Sequence, residues 1–218
     1  MYVPDHFRPS DQDVRALLDR IGAGELITAT ADGLLATLLP LIWEPATGGE
    51  AGAPLGRLMG HVARNNRQWN TAAIGEAMVI VRGADAYISP AWYATKREHG
   101  RVVPTWNYVT AHLHGELVVH DDAAWCDQNV RALVDRHEAG RAEPWSVDDA
   151  PPPYISGQLR AIVGLEVQVT RIEAKTKLSQ NRSNDDVLGA IEGLEAAGDG
   201  ASLATAAAMR ATQTTRGR

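Results

Sequence analysis

The chain has 218 residues, of which 44% are hydrophobic and 22% charged, with a net charge of −6. That length can bury a substantial core without staples, and the single cysteine, Cys126, excludes an intrachain disulfide. An acidic surface repels phosphate backbones over long range, which excludes nucleic-acid binding by overall charge. The short basic stretch 96–101 carries Glu98 within it and reads as a solvated loop rather than a nucleic-acid patch, and no helix-turn-helix is recognisable. The opening residues Met1-Tyr2-Val3-Pro4 lack a basic patch followed by an apolar run, so no secretory leader is expected. No stretch approaches the ~20 apolar residues of a membrane helix. With the lone thiol, these features place the chain, as an expectation, in the cytoplasm.

Residues 10–20 predict a helix. Ser10 can cap it, Asp11 and Asp13 suit its positive end, Gly22 stops it, and Val14, Leu17, Leu18 and Ile21 share one face. Residues 25–31 and 34–43 are rich in Leu, Ile and Thr around Ala31-Asp32-Gly33, a hairpin signal. Pro40 implies an edge or a bulge near the end of the second strand. A Gly-rich turn at 47–54 leads to a third strand at 56–62. Asn65 or Asn66 then opens a helix expected to run through Trp69 to Ile74. Two strands are expected at 77–82 and 86–89 around Gly83, followed by an aromatic loop to Gly100. Two more are expected at 102–110 and 112–120, with Pro104 as a break. Residues 122–138 form an amphipathic helix stopped by Gly140, three prolines precede a helix at 154–161, and 165–173 alternates as a half-buried strand. Asn184 caps a last clear helix to about residue 197. Seven or eight short, mostly hairpin-linked strands predict an antiparallel barrel with flanking helices, a mainly β, α+β class. Residues 1–197 are expected as one domain and 198–218 as an Ala-rich, partly mobile tail.

Four stretches carry candidate chemistry. Gly60-His61-Val62-Ala63-Arg64-Asn65-Asn66 runs a strand into a helix start bearing an Arg and two Asn, which is either a phosphate cradle or a capped helix with a surface Arg. Tyr87-Ile88-Ser89-Pro90-Ala91-Trp92-Tyr93 is either a stacking platform or a core cluster. In Val103-Pro104-Thr105-Trp106-Asn107-Tyr108, Trp106 and Tyr108 point to one side of a strand and Asn107 to the other. The Asn107 amide suits an imide-like ring edge, or plain packing. Lys177-Leu178-Ser179-Gln180-Asn181-Arg182-Ser183 is a solvated loop or the polar floor of a site. His112 and His114 would share a strand face as two metal ligands could, but no third ligand stands beside them in sequence and no metal is expected. Cys126, within the helical stretch 122–138, reads as a packed thiol. No nucleophile elbow, P-loop or dinucleotide fingerprint is present.

In this order, the four stretches, together with Asp135-Arg136-His137-Glu138 and Pro144-Trp145-Ser146-Val147, resemble the PaiB family of FMN-binding negative transcriptional regulators. The resemblance runs from Met1 to about Leu194. It implies a split β-barrel related to pyridoxamine-phosphate oxidase and flavin reductases, and a homodimer with FMN at the interface; the lack of a long apolar stretch implies no membrane. It implies that Arg64 and Asn65 hold the phosphate, that His61 and Val62 lie along the flavin, and that Trp106 and Asn107 come from the neighbouring subunit. Lys177, Ser179 and Gln180 stand where related oxidases have a basic motif that reaches the cofactor. Two positions depart from the family pattern: Leu38 replaces a His before Pro40, and Thr176 replaces a Trp before Lys177.

The functional expectation is an FMN-binding split-barrel protein acting as a flavin-dependent oxidoreductase or a flavin-sensing regulator. Lys177 is the candidate cation near the ring, and His61 is the best general acid or base. The alternatives are a negative regulator working through a partner or DNA, and a flavin-free dimeric barrel that binds another ligand.

Overall fold

A computed structural model of the protein describes residues 1–47 and 54–216. The Gly-rich turn expected at 47–54 lies almost wholly outside the described residues. The chain forms two compact units, each assembled from separated stretches. One takes Met1–Val14, Arg82–Ala111 and Ala174–Arg218; the other takes Arg15–Val81 and His112–Glu173. The strands are β1 (Ala23–Thr30), β2 (Gly33–Pro45), β3 (Gly56–Ala63), β4 (Ala77–Ile88), β5 (Thr105–His120) and β6 (Ile162–Lys177). The α-helices are α1 (Asp11–Leu18), α2 (Thr95–His99), α3 (Ala123–Glu138), α4 (Pro152–Arg160), α5 (Asn184–Ala197) and α6 (Gly200–Arg216). The strands close into a barrel in the order β1-β2-β3-β6-β5-β4.

In the Arg15–Val81 and His112–Glu173 unit, β1 and β2 form the expected hairpin. Thr30 pairs with Gly33 across Ala31-Asp32, Gly33 sits at φ 117, and the Thr30 hydroxyl donates to the Gly33 carbonyl at 2.8 Å. Pro40 pairs with Ala23 at the end of the β1 ladder, and Leu41 opens the β3 ladder opposite Gly60. The strand therefore changes partners at the residue that has no N–H to donate. Leu26, Leu58, Val79, Leu113, Val163 and Val167 fill the core, each contributing about 1.5–3 kcal/mol by leaving water. Asp122 caps α3 by accepting from the Trp125 N–H at 2.7 Å, and Cys126 is buried as a packed thiol. The Trp125 ring stacks on His120 at 4.1 Å and lies over Gly164, where a Cβ would stand 2.2 Å from it.

Two expectations are corrected here. The pairs of strands at 77–82/86–89 and 102–110/112–120 are the single strands β4 and β5, so six strands replace seven or eight. Barrel strands coil strongly and pass through residues such as Gly83 that would end a flat strand, while Pro104 lies just before β5. The helix expected at 66–74 is one 3-10 turn, Arg67–Trp69. Side chains dictate that turn: Asn66 accepts from the Gln68 N–H at 2.8 Å. The buried Gln68 amide donates to the Leu26 carbonyl and the Thr28 hydroxyl, and the Trp69 indole donates to the Arg64 carbonyl.

In the other unit, Ser10 and Asp13 cap the start of α1 reciprocally. Ile88, Tyr93, Leu178, Val187, Ile191, Leu194 and Met209 form one buried cluster. Trp92 and Tyr93 follow the core reading of the aromatic stretch. Gly189 and Gly193, one turn apart on α5, make a slot for Trp92; a Cβ on either would stand 2.2 Å from its carbonyl oxygen or its ring. The Asp186 carboxylate accepts from the Thr95 N–H and hydroxyl at 2.9 Å, which ties α5 to the start of α2. Ser183 rather than Asn184 caps α5. In the Ala-rich stretch α6 runs to Arg216 with Ala206 and Met209 buried, because small side chains let two helices approach closely. Among the described residues no helix is long and apolar enough to cross a membrane.

Candidate functional site

The nine sequence-derived site residues fall into two groups, one in each unit. His61, Val62, Arg64 and Asn65 lie on β3 and the turn after it. Val62 is buried, Asn65 is exposed, and His61 Nδ1 lies 3.3 Å from Asn129 Oδ1 on α3. Arg64 makes four of the five hydrogen bonds its guanidinium allows. Nε donates to the Arg160 carbonyl at 2.8 Å and Nη2 to the Ile162 carbonyl at 3.2 Å. Both Nη atoms also meet the Asp121 carboxylate, at 3.1 and 2.6 Å. That pairing raises the Arg64 pKa and holds Asp121 below the usual carboxylate range. In this structure Arg64 clamps the end of β3 to β6 and to the end of β5, and the three-residue turn behind it supplies no helix dipole for a phosphate.

The other five come together. Lys177, at the end of β6, donates to the Trp106 carbonyl at 2.6 Å and to the Thr105 hydroxyl. Its ammonium lies 5.9 Å above the Tyr108 ring, and that of Lys175 lies 5.6 Å from the same ring. Burial holds the Lys177 ammonium below the ordinary lysine range, and the neighbouring charges of Lys175 and Arg182 push it the same way. Trp106 is 51% exposed and Tyr87, on β4, is 49% exposed. Their ring centroids stand 6.4 Å apart at 59°, and the Trp106 indole N–H donates to Asp85 at 3.0 Å, which fixes the ring.

Behind this surface the strand alternation sends Asn107 inward, as the sequence implied. It is fully buried, and its amide and the Ser179 hydroxyl bond each other at 3.0 and 3.2 Å. Ser179 holds φ 65, the one positive φ at a non-glycine among the described residues, a strain of about 1–3 kcal/mol that surrounding bonds must hold. Gln180 braces the same turn: its carbonyl oxygen accepts from the Leu178 N–H at 2.7 Å and its amide donates to the Thr176 carbonyl at 2.6 Å. Asn107, Ser179 and Gln180 are thus buried within this turn, whereas Trp106 is exposed and Lys177 partly so. Thr176, which stands in place of the family's Trp, serves here through its carbonyl. Tyr87 and Lys175 belong with this surface, and the aromatic stretch 87–93 was the sequence signal for the first of them.

The model of the family described as "Putative FMN-binding domain" matches residues 1–171. The chain belongs to that family. Among its relatives, the protease synthase and sporulation protein PAI 2 of Bacillus subtilis is 31% identical over 199 residues, 89% of each chain. The barrel is also that of an FAD and heme binding protein from Mycobacterium smegmatis, with TM-score 0.53 and 18% identity over 89% of this chain and 81% of the other. The flavocytochrome Anf3 from Azotobacter vinelandii matches with TM-score 0.51 and 16% identity, over 78% of this chain and 68% of the other. At those identities the two structures speak for the fold alone.

FMN is the cofactor that membership in the family assigns. The residues present fit the ring: two half-exposed aromatics with a cation beside them suit a flat, electron-poor heterocycle that gains negative charge on reduction. They do not offer a free Arg64 for the phosphate, since Asp121 holds it.

Proposed function

We propose that the protein is an FMN-dependent oxidoreductase whose flavin ring rests on the Tyr87, Trp106 and Lys177 surface. FMN supplies the acceptance and donation of electrons or hydride. Trp106 offers a ring face for stacking, Asp85 fixes that face, and the Lys177 ammonium stabilises negative charge on the ring. Asn107, Ser179 and Gln180 hold the turn that positions Lys177. The observation that carries this reading is the exposed Trp106 and Tyr87 pair beside a cation whose hydrogen bonds anchor it to the Trp106 backbone.

Visible absorption during FMN titration, followed by NAD(P)H under argon, tests it. A resolved bound-flavin spectrum that bleaches with NAD(P)H is expected. Trp106→Ala should weaken FMN by ~1–3 kcal/mol, the worth of one stacked heterocycle, or roughly five- to a hundredfold in Kd. Lys177 adds a pH signature. Its pKa is lowered, chiefly by burial, so the cation is lost at a lower pH than that of an ordinary lysine. FMN affinity is expected to fall as pH rises through that depressed value, and to lose this alkaline limb in Lys177→Met. Absence of any bound flavin at high FMN sinks the reading. A bound flavin that NAD(P)H leaves oxidised would favour a flavin-sensing regulator instead.

The protein is also proposed to act as a homodimer. Leu34, Ala36, Leu38 and Pro40 alternate along the outer face of β2 and are all exposed, with Leu34 at 75% and Leu38 at 68%. Large apolar side chains in a row on a strand surface are expected to be covered, here by a second copy. Light scattering should give a dimer for the native chain and a monomer for Leu34→Glu/Leu38→Glu; a monomeric native chain would remove the proposal.

A further inference from the structure

The end of β6 gathers positive charge that the fold leaves without acidic partners. Lys175 and Lys177 stand two residues apart on one face of that strand, and both ammoniums lie over the Tyr108 ring of β5. After Lys177 the chain turns at Ser179, whose carbonyl accepts from the Arg182 backbone N–H at 3.0 Å. The Arg182 guanidinium comes to rest 4.8 Å from the centroid of the Tyr93 ring. All of these residues belong to one unit of the fold.

Each cation is held in place by something other than a carboxylate. Lys175 donates to the Tyr2 carbonyl at 3.2 Å and has the Tyr2 and Phe7 rings 5.8 Å away. Lys177 is anchored to Thr105 and to the Trp106 carbonyl. Arg182 rests against the buried Tyr93, whose hydroxyl lies beside it. Among the described residues no Asp or Glu forms an ion pair with any of the three. Asp85 and Asp186, acids of the same unit, are engaged by the Trp106 indole and by Thr95. In a chain of net charge −6, this is a local reversal of sign. Partly buried like charges repel one another, as the pressure of Lys175 and Arg182 on the Lys177 ammonium shows, and a bound anion relieves that repulsion.

We propose that Lys175, Lys177 and Arg182 form a receptor for an anionic group, a phosphate or a carboxylate, at the edge of the Trp106 and Tyr87 surface. A guanidinium held by its face against an aromatic ring keeps its N–H edge for bidentate bonding to such a group, and the two ammoniums add charge without demanding one geometry. The role of the anion rests on the flavin reading above. It is either the anchoring group of an acidic substrate or the phosphate of FMN itself, which Arg64 is not free to hold.

The test titrates the full-length protein with inorganic phosphate by calorimetry, with and without bound FMN, at an ionic strength held constant with chloride. FMN and riboflavin are titrated in parallel. One equivalent of phosphate is expected. Arg182→Met should weaken it about ten- to a hundredfold, as loss of a charge-assisted hydrogen-bonded contact does, and Lys175→Met should act in the same direction, both with unchanged far-UV circular dichroism. Arg182→Lys, which keeps the charge but not the fork, should recover only part of the loss. If phosphate binds the FMN-loaded protein and Arg182→Met leaves the affinity for both flavins unchanged, the anion belongs to the substrate. If phosphate binds only the flavin-free protein and Arg182→Met weakens FMN but not riboflavin, the anion is the cofactor's own. Phosphate binding by a protein that takes up no flavin leaves the receptor standing and removes only the flavin reading. Failure of the native protein to bind phosphate in either form overturns the proposal. So does binding that survives undiminished in both folded Met variants.

Discussion

Gly115→Ala is expected to destabilise the protein by at least about 3 kcal/mol, the upper end of ordinary overpacking. Gly115 lies on β5 against Gln168 of β6. A Cβ there would stand 1.9 Å from the Gln168 carbonyl oxygen, 2.7 Å from its carbon and 3.0 Å from the Val169 Cα. All three are backbone atoms, so no rotamer relieves the clash and one strand must move away from the other. Leu113 and Val169, both fully buried, flank the seam, and any opening there admits water to the core. Urea denaturation reads the effect as a fall in midpoint. Gly33→Ala is the control: its φ of 117 is strained for alanine, but nothing lies within 4 Å of the new carbon, and a loss of only about 1 kcal/mol is expected. Equal midpoints for the two variants would mean that β5 and β6 tolerate a bulge.

Asn107→Leu is expected to cost about 2–4 kcal/mol and to weaken FMN binding beyond what the loss of stability explains. The change keeps the branching at Cγ but replaces both polar atoms of a fully buried side chain by larger methyl groups. The Ser179 hydroxyl, itself buried, loses the amide that holds it at 3.0 Å. Removing one partner of a buried pair costs more than removing both. The double variant Asn107→Leu/Ser179→Ala should therefore be more stable than the sum of the two single losses implies. The effect on flavin follows from the chain path: Ser179 holds φ 65 two residues after Lys177 and Asn107 directly follows Trp106. A released turn lets the Lys177 cation wander while Trp106 remains. Urea melts and FMN titrations of the three variants separate these effects. Strict additivity in stability would show that the two side chains do not act as a pair, and unchanged flavin affinity would show that the turn does not position Lys177.

Local chemistry made part of this fold legible. The β1–β2 hairpin could be read because Asp32-Gly33 supplies the turn, and the start of α1 because Ser10 and Asp13 are a capping pair. Long coiled strands were not legible: Gly83 and Pro104 look like stops, and only the barrel shows that one lies within a strand and the other before it. α6 was obscured because its apolar face is built of alanines, which carry little hydrophobic signal yet pack tightly against α5. At the site, Trp106 and Lys177 stood out by their motifs. The competition for Arg64 did not, because Asp121 lies 57 residues further along the chain and meets it only once the barrel has closed. The Asn107 amide suits a heterocycle edge and a buried turn equally well, so its spacing alone did not show which partner it takes, and Gln180 entered only by its place in the family's motif.

The slot in α5 that receives Trp92 has a consequence for how this sequence can drift. Two glycines one turn apart weaken a helix by roughly 1 kcal/mol each relative to alanine, so their presence marks a shape requirement stronger than that penalty. A side chain at 193 can be admitted only if the ring at 92 shrinks, and a smaller residue at 92 leaves a void that invites a larger one at 193, whereas a side chain at 189 meets the Trp92 backbone carbonyl, which no change of ring relieves. Positions 92 and 193 therefore form a single heritable unit, and in any set of related sequences they are expected to change together or not at all, while 189 is expected to stay glycine whatever stands at 92.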